Sequence, residues 1–345
     1  MAKTTGPGTR PTIRMVAELA GVSTATVSYV LSGRRGDTGP GVSDPTAEKV
    51  KAAARQLGYR PNQAARAIRM GKTDTVILSL TMLSDPWSQS VIKAVQRAAE
   101  PLGITPMILG DANWVKILDT HSADAVFVDG VKEEHRSEPR RLAARGTRLV
   151  VFDEQIEPEG FDVIRSIARP GCDLAMAHLL KGHRRIGCLT PSAAAPGGPR
   201  YVAYTSALAQ AEVPFREEYV GCFDGSATDA YFAAARLLSL PERPTAIYAT
   251  SDYVAVSAIS AAQRLGLTVG EDIDIIGVGN SAVDERMAPS LTTVGPAGFF
   301  DSIARLLLDR AVGTPRVEEP GVLEFPWQLF VGESAPDRNP FTRLS

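Results

Sequence analysis

At 345 residues the chain is too long for one ordinary core and suits a small module joined to a larger body. Hydrophobic residues make up 44% and charged residues 22%, an ordinary globular composition, and no run of about 18 apolar residues offers a membrane span. The net charge of -2 conceals a division: residues 1–72 carry 12 Lys/Arg against 4 Asp/Glu, and the other 273 carry 25 against 35. A basic head on an acidic body fits a phosphate-backbone binder fused to a part that does not touch nucleic acid.

Residues 1–11 are polar, contain Gly and Pro, and lack the apolar core of a signal peptide, so they read as a disordered tail on a cytoplasmic protein. The three cysteines, Cys172, Cys188 and Cys222, form no C-x-x-C pair and read as buried thiols in a reducing compartment; no metal site is expected.

Three short helices are predicted within residues 12–60. Val16, Leu19 and Ala20 recur at helical spacing before Gly21; Val27, Val30 and Leu31 repeat it before Gly33; Val50, Ala54 and Leu57 mark a third helix, entered through Ser43-Asp44-Pro45 and stopped by Gly58. Two helices around a Gly-containing turn, with a third closing the core, is the helix-turn-helix arrangement. Between the apolar positions of the second helix lie Thr24, Ala25, Thr26, Ser28 and Tyr29, small or polar groups able to reach base edges, with Ser23 placed to cap the helix. The Gly-rich turn 34–41 brings Arg34 as a backbone contact. Residues 61–73 then read as a hinge helix and linker, in which small residues such as Ala65 flank Arg66, Ile68 and Arg69; Ile68 would wedge into a minor groove while the arginines meet phosphates.

From Thr75 onward, strand-like runs (TVILSL, ITPMIL, AVFVD, RLVVF, RIGCL, TAIYA and IDIIGV) alternate with helical stretches around 88–102, 138–145, 171–181, 200–211, 227–239, 253–265 and 299–311. Such alternation predicts βαβ units and parallel sheets, and the length predicts two lobes. Ligands of open α/β sheets bind beyond the carboxyl ends of strands, so the turns Ser84-Asp85-Pro86-Trp87, Asp153-Glu154, Pro191-Ser192, Ser251-Asp252-Tyr253 and Gly279-Asn280-Ser281 are candidates for an effector cleft.

The segments TIRMVAELAGVSTATVSYVLSG and VSDPTAEKVKAAARQLGYRPNQAARAI resemble the head of the lactose/galactose repressor (LacI/GalR) family over about sixty residues in the same order. HLLKGHRRIGCL, RPTAIYATSDYVAVSAI, GEDIDIIGVGN and APSLTTV resemble the periplasmic-binding-protein-like core of the same repressors. The resemblance implies a small all-α helix-turn-helix head on an α/β two-lobed core with parallel sheets. It places lobe 1 at about 74–165 and 297–321, and lobe 2 at about 166–296 and 322–334, joined by three crossovers. It assigns residues 24, 25 and 29 to bases, and Thr12, Ser23, Ser28, Ser43, Thr46 and Asn62 to the backbone or to docking. It makes Ile68 the intercalating lever and places Trp87, Asp153, Arg200 and Asp252 in the effector cleft.

Several positions depart from the family pattern. Tyr29 stands where arginine is usual, Gly279 where an aspartate is usual, Ser251 where asparagine is common, and Ile167-Ala168 in place of Asp-Asn. The first removes a bidentate guanine contact; the others thin the polar set that grips a simple sugar.

No catalytic motif emerges. GVGNSA lacks the third glycine of a dinucleotide loop, and no G-x-S-x-G, H-E-x-x-H or Walker loop occurs. The expectation is a sequence-specific transcriptional regulator, a repressor that binds a near-palindromic operator as a homodimer. A small effector of unknown identity controls it, with no other cofactor and no membrane partner. The alternative is control by a partner protein, or a cleft that has lost its ligand.

Overall fold

The computed structural model describes residues 11–31, 42–60, 71–81, 83, 85–110, 113–192, 198–281, 287–313 and 320–338. The chain divides at Thr73/Asp74 into two units.

The N-terminal unit contains α1 (Ile13–Ala20), α2 (Thr24–Leu31) and α3 (Asp44–Leu57). Val16, Ala17, Val27, Val50, Ala53 and Ala54 form its buried centre, with Ile13, Val30, Leu57 and Tyr59 packed around them. The core is small because the unit is short, and the alanines among its buried residues let the three helices approach closely. Leu19, expected on the buried face, is 47% exposed, because α1 turns Val16 and Ala17 inward instead. Gly21 closes α1 at φ +67 and Gly58 closes α3 at φ +62, left-handed positions where a side chain would be strained.

The C-terminal unit holds two six-stranded sheets. The first has the order β11-β5-β4-β3-β1-β2, from β1 (Thr75–Leu80), β2 (Thr105–Gly110), β3 (Ala125–Asp129), β4 (Leu149–Phe152), β5 (Asp162–Arg165) and β11 (Val322–Glu324), all paired in parallel. The second has the order β12-β10-β9-β8-β6-β7, from β6 (Ile186–Pro191), β7 (Val220–Phe223), β8 (Ala246–Ala249), β9 (Asp274–Val278), β10 (Thr292–Pro296) and β12 (Trp327–Phe330); only β12 runs antiparallel. The central strands read Val/Ile/Leu-rich because both faces are covered.

In the first lobe α4 (Pro86–Ala99) and α11 (Phe299–Val312) cover one face, burying Val91, Val95, Ile303 and Leu307 against Leu78 and Phe127. α5 (Trp114–Leu118) and α6 (Glu138–Ala144) cover the other. In the second lobe α7 (Ala168–Leu180) and α8 (Pro199–Gln210) lie on one face; α9 (Ala227–Leu238) and α10 (Asp252–Arg264) lie on the other.

The chain crosses between lobes after β5, after β10 and after β11. Because β11 pairs with β5 of the first sheet, residues 322–324 belong to lobe 1, and the expected boundary at 321/322 moves to the far side of Glu324. Cys172 and Cys188 are buried, and burial pushes both thiols up, which leaves them unreactive. Cys222 is exposed, contrary to expectation, because its side chain lies on the outward side of β7 at the sheet edge.

Candidate functional site: the reading helix and the interlobe cleft

In the head, local hydrogen bonds fix the residues that open each helix. Ser23 accepts from the backbone N–H of Thr26 at 3.1 Å, and the two hydroxyls lie 2.9 Å apart, so the start of the helix is fixed by its own side chains. Thr12 caps α1 through Met15 N, and the hydroxyls of Ser43 and Thr46 meet at 2.9 Å at the start of α3. Ser23, Thr24 and Ala25 are exposed, whereas Thr26, Ser28 and Tyr29 are partly covered and flank buried Val27. Thr12 and Ser43 are exposed as well. Arg34, Asn62, Ala65, Arg66 and Ile68 lie outside the described residues.

In the core, the carboxyl ends of strands from both sheets face a cavity of about 510 Å³. Lobe 1 contributes Asp85 and Trp87 from the start of α4, Asp129 from β3, and Phe152 and Asp153 from β4; lobe 2 contributes Arg200, Ser251 and Asp252. A second chamber of about 640 Å³ runs into lobe 2 past Thr190, Tyr201, Phe223 and Tyr253, and shares Asp85, Glu154, Arg200 and Ser251 with the first.

Trp87 anchors the aromatic wall. It stacks on Phe152 at 5.2 Å between ring centroids and 25° between planes, with Phe127, Phe299 and Phe300 around it. Its position is set by Asp85, which caps α4 by accepting from Trp87 N at 2.8 Å. Burial pushes the Asp85 carboxyl up from the ordinary carboxylate range, while that hydrogen bond and the Arg200 charge pull it down. Trp327 faces the same cavity, its indole N–H donating to Ser166 Oγ at 2.8 Å.

Arg200 projects from the first turn of α8 and donates to the Thr250 carbonyl at 2.6 Å, which holds the guanidinium where the two chambers meet. Asp153 uses one oxygen on the N–H groups of Gln155 and Ile156, and Ser251 caps α10 through Val254 N. Asp252 is 1% exposed; Ser281 N and Oγ donate to its Oδ2 at 2.7 Å each, and Thr293 Oγ1 donates to Oδ1. Burial pushes its carboxyl up against those hydrogen bonds. It therefore braces the end of β9 and β10 as well as lining the cavity.

Trp87, Asp153, Arg200, Ser251 and Asp252 thus come together as expected. Asn280 does not: its amide donates to the Pro296 carbonyl at 3.0 Å, and it lines an adjoining cavity that shares Ser281, Pro296 and Phe299 with the first. A backbone φ of +47 at Asn280 turns the side chain away. Asp85 and Glu154, in the same strand-end turns as Trp87 and Asp153, line the cavity too, whereas Asp129, Phe152, Phe223 and Trp327 lie outside the residues and turns the sequence singles out. The strand-end rule could have found Asp129, Phe152 and Phe223; Trp327, on a strand without a clear pattern, gave no signal. At Ala168 and Ile167 the structure explains what the altered dipeptide does: Ala168 lines the cavity, and α7 starts without a side-chain cap.

A three-helix reader and a two-sheet core with a ligand-sized cleft define a one-chain ligand-responsive DNA-binding regulator. Residues 12–62 match the model for bacterial regulatory proteins of the lacI family, and residues 176–335 match the periplasmic binding protein-like domain. The chain is 31% identical over 346 residues to the HTH-type transcriptional repressor PurR of Yersinia pestis bv. Antiqua, covering 94% of this chain and 97% of the relative. Among solved structures it is similar to a transcriptional regulator CelR–cellobiose complex (28% identity, TM-score 0.59, covering 94% of this chain and all of that one). It shares its fold with a lacI family regulator from Silicibacter pomeroyi (21%, TM-score 0.75, covering 94% and 99%) and with the Lac repressor dimer bound to operator and the anti-inducer ONPF (21%, TM-score 0.67, covering 95% and 100%). The chain belongs to the lacI family and is a DNA-binding transcriptional regulator; its curated relatives are repressors rather than enzymes.

Proposed function

We propose that the protein represses transcription in the cytoplasm as a homodimer on a near-palindromic operator, and that a small molecule in the interlobe cleft sets its affinity. The observation that carries the effector half is the shared wall: Trp87 and Asp85 of lobe 1 face Arg200 and Ser251 of lobe 2 across one cavity. A ligand touching both lobes binds one lobe orientation better than another, and that difference is the most it can contribute to a switch. The likeness to a regulator solved as a complex with cellobiose supports control by a small-molecule ligand.

The homodimer follows from readout. One recognition helix covers few base pairs, so useful specificity takes two half-sites about one helical turn apart. Thr24, Ala25 and Tyr29 would face bases, and Thr12, Ser23, Ser28, Ser43 and Thr46 would hold phosphates or the docking angle.

Selection from a random DNA pool with the full-length chain tests this. Enrichment of a roughly 14–20 base-pair near-palindrome supports the dimeric reader; salt-sensitive binding without an enriched sequence leaves only charge and rejects it. The enriched operator then serves to screen metabolites for release or tightening.

A further inference from the structure

The charges around the cleft are one-sided. Five carboxylates line the first chamber, those of Asp85, Asp129, Asp153, Glu154 and Asp252. Two guanidiniums face them, and Arg136 is already engaged with Glu133 at 2.5 Å and Gln155 at 2.7 Å. Arg200 is the one remaining cation among the described lining residues, and its hydrogen bond goes to a carbonyl rather than to an acid.

The acids are not equivalent. Asp129 holds Thr81, Asp153 a turn, and Asp252 the end of β9. Asp85 uses one oxygen on Trp87 N and leaves Oδ2 without a partner, and Glu154 has no ion-pair or hydrogen-bond partner among the described residues. These two line both chambers, as Arg200 does. Asp85 is half-buried and Glu154 exposed, so a ligand that draws the lobes together over them would take water from two carboxylates. Arg200 can balance one; the second stays uncompensated, a costly state, unless the ligand brings a positive charge. Next to it stand the rings of Trp87, Phe152 and Trp327, surfaces that attract a cation. The hydroxyl of Thr190, fully buried and without a protein partner, lines the deeper chamber and offers an acceptor for an N–H donor.

We propose that the effector is a small organic cation, a ring or apolar body bearing an ammonium or amidinium group whose charge lies between Asp85 and Glu154 beside the Trp87 wall. This rests on the effector reading above and narrows it to a ligand class. A neutral polyol leaves the charge unbalanced, and a phosphorylated ligand worsens it.

The test is calorimetric titration of the full-length chain at low ionic strength with matched probes: benzylamine against benzyl alcohol, and glucosamine against glucose and glucose 6-phosphate. The expected result is binding of each amine about tenfold tighter or more than its neutral partner, with glucose 6-phosphate weakest. The preference should vanish in the D85N/E154Q double variant, in which the amide oxygen that replaces the Asp85 carboxylate still caps α4 and Tm is unchanged. Equal binding of neutral and charged partners, tightest binding of the phosphate, absence of amine binding at millimolar concentration, or a preference that survives in the double variant each overturns the cation assignment. Operator affinity is measured in the same mixtures. An amine that binds with the preference but leaves operator affinity unchanged overturns the effector reading and leaves the cation site standing. A neutral ligand that changes operator affinity does the reverse.

Discussion

Gly277 and Asp252 are fitted to one another: a methyl group on the glycine would stand 2.3 Å from Asp252 Oδ1 and 3.2 Å from its Cα. The absence of a side chain in β9 is what lets α10 start close enough for its first carboxylate to reach Ser281 and Thr293. Gly277→Ala should therefore cost about 1–3 kcal/mol in urea unfolding, as overpacking of a rigid site does. Unchanged stability would mean that the start of α10 yields freely and that the brace is loose.

A second brace closes the other end of the same lobe. Arg338 donates to both oxygens of Asp274, at 2.7 and 2.6 Å, and His183 Nε2 lies 2.8 Å from one of them. Burial alone would push the Asp274 carboxyl up, but the hydrogen bonds from Arg338 and His183 outweigh it and hold the group below its ordinary range. A depressed carboxyl contributes stability above its unfolded pKa of about 4 and loses that contribution as pH falls through the folded value. Arg338→Ala should cost about 3 kcal/mol at pH 7, and the gap to wild type should narrow as unfolding is followed below about pH 4. A pH-independent gap would assign the loss to packing.

Trp327 owes its place to Gly171. A Cβ on that glycine would lie 2.1 Å from the indole Cε3, so Gly171→Ala must displace the ring from the cleft wall. Near-ultraviolet circular dichroism should change and the effector response should weaken, while operator affinity without effector is retained. A variant with an unaltered aromatic spectrum would show that α7 moves instead.

On the DNA side, Tyr29→Arg supplies the fork that pairs with guanine. Repeating the random-pool selection should shift preference at one position of each half-site, by about 1–3 kcal/mol, and leave the rest of the operator unchanged. Identical enriched sequences from both proteins would remove Tyr29 from base reading.

Much of this organisation is legible in the sequence because its signals are local. The helix starts and stops of the head follow Ser23, Ser43, Gly21 and Gly58, and the buried strands announce themselves as runs such as TVILSL and IDIIGV. Trp87 and Asp252 could be placed because each opens the helix that follows a strand. What was hidden depends on tertiary pairing. The strand 322–324 is exposed along its length and lacks a pattern, so only its register with Val163 to Arg165 assigns it to the first lobe. Asn280 sits in a promising turn, but a left-handed backbone and one carbonyl on Pro296 turn it away. The free oxygens of Asp85 and Glu154 could not be foreseen, since a sequence does not say which acids are already occupied.

The three crossings between the lobes each span two residues: 166–167, 297–298 and 325–326. Three tethers this short bar the lobes from sliding or drifting apart and leave essentially one angle to vary, as between the covers of a book on its spine. Inducer and corepressor then differ only in the direction in which they push along a single coordinate. A change at the spine that resets the resting angle could turn one into the other without altering a ligand contact.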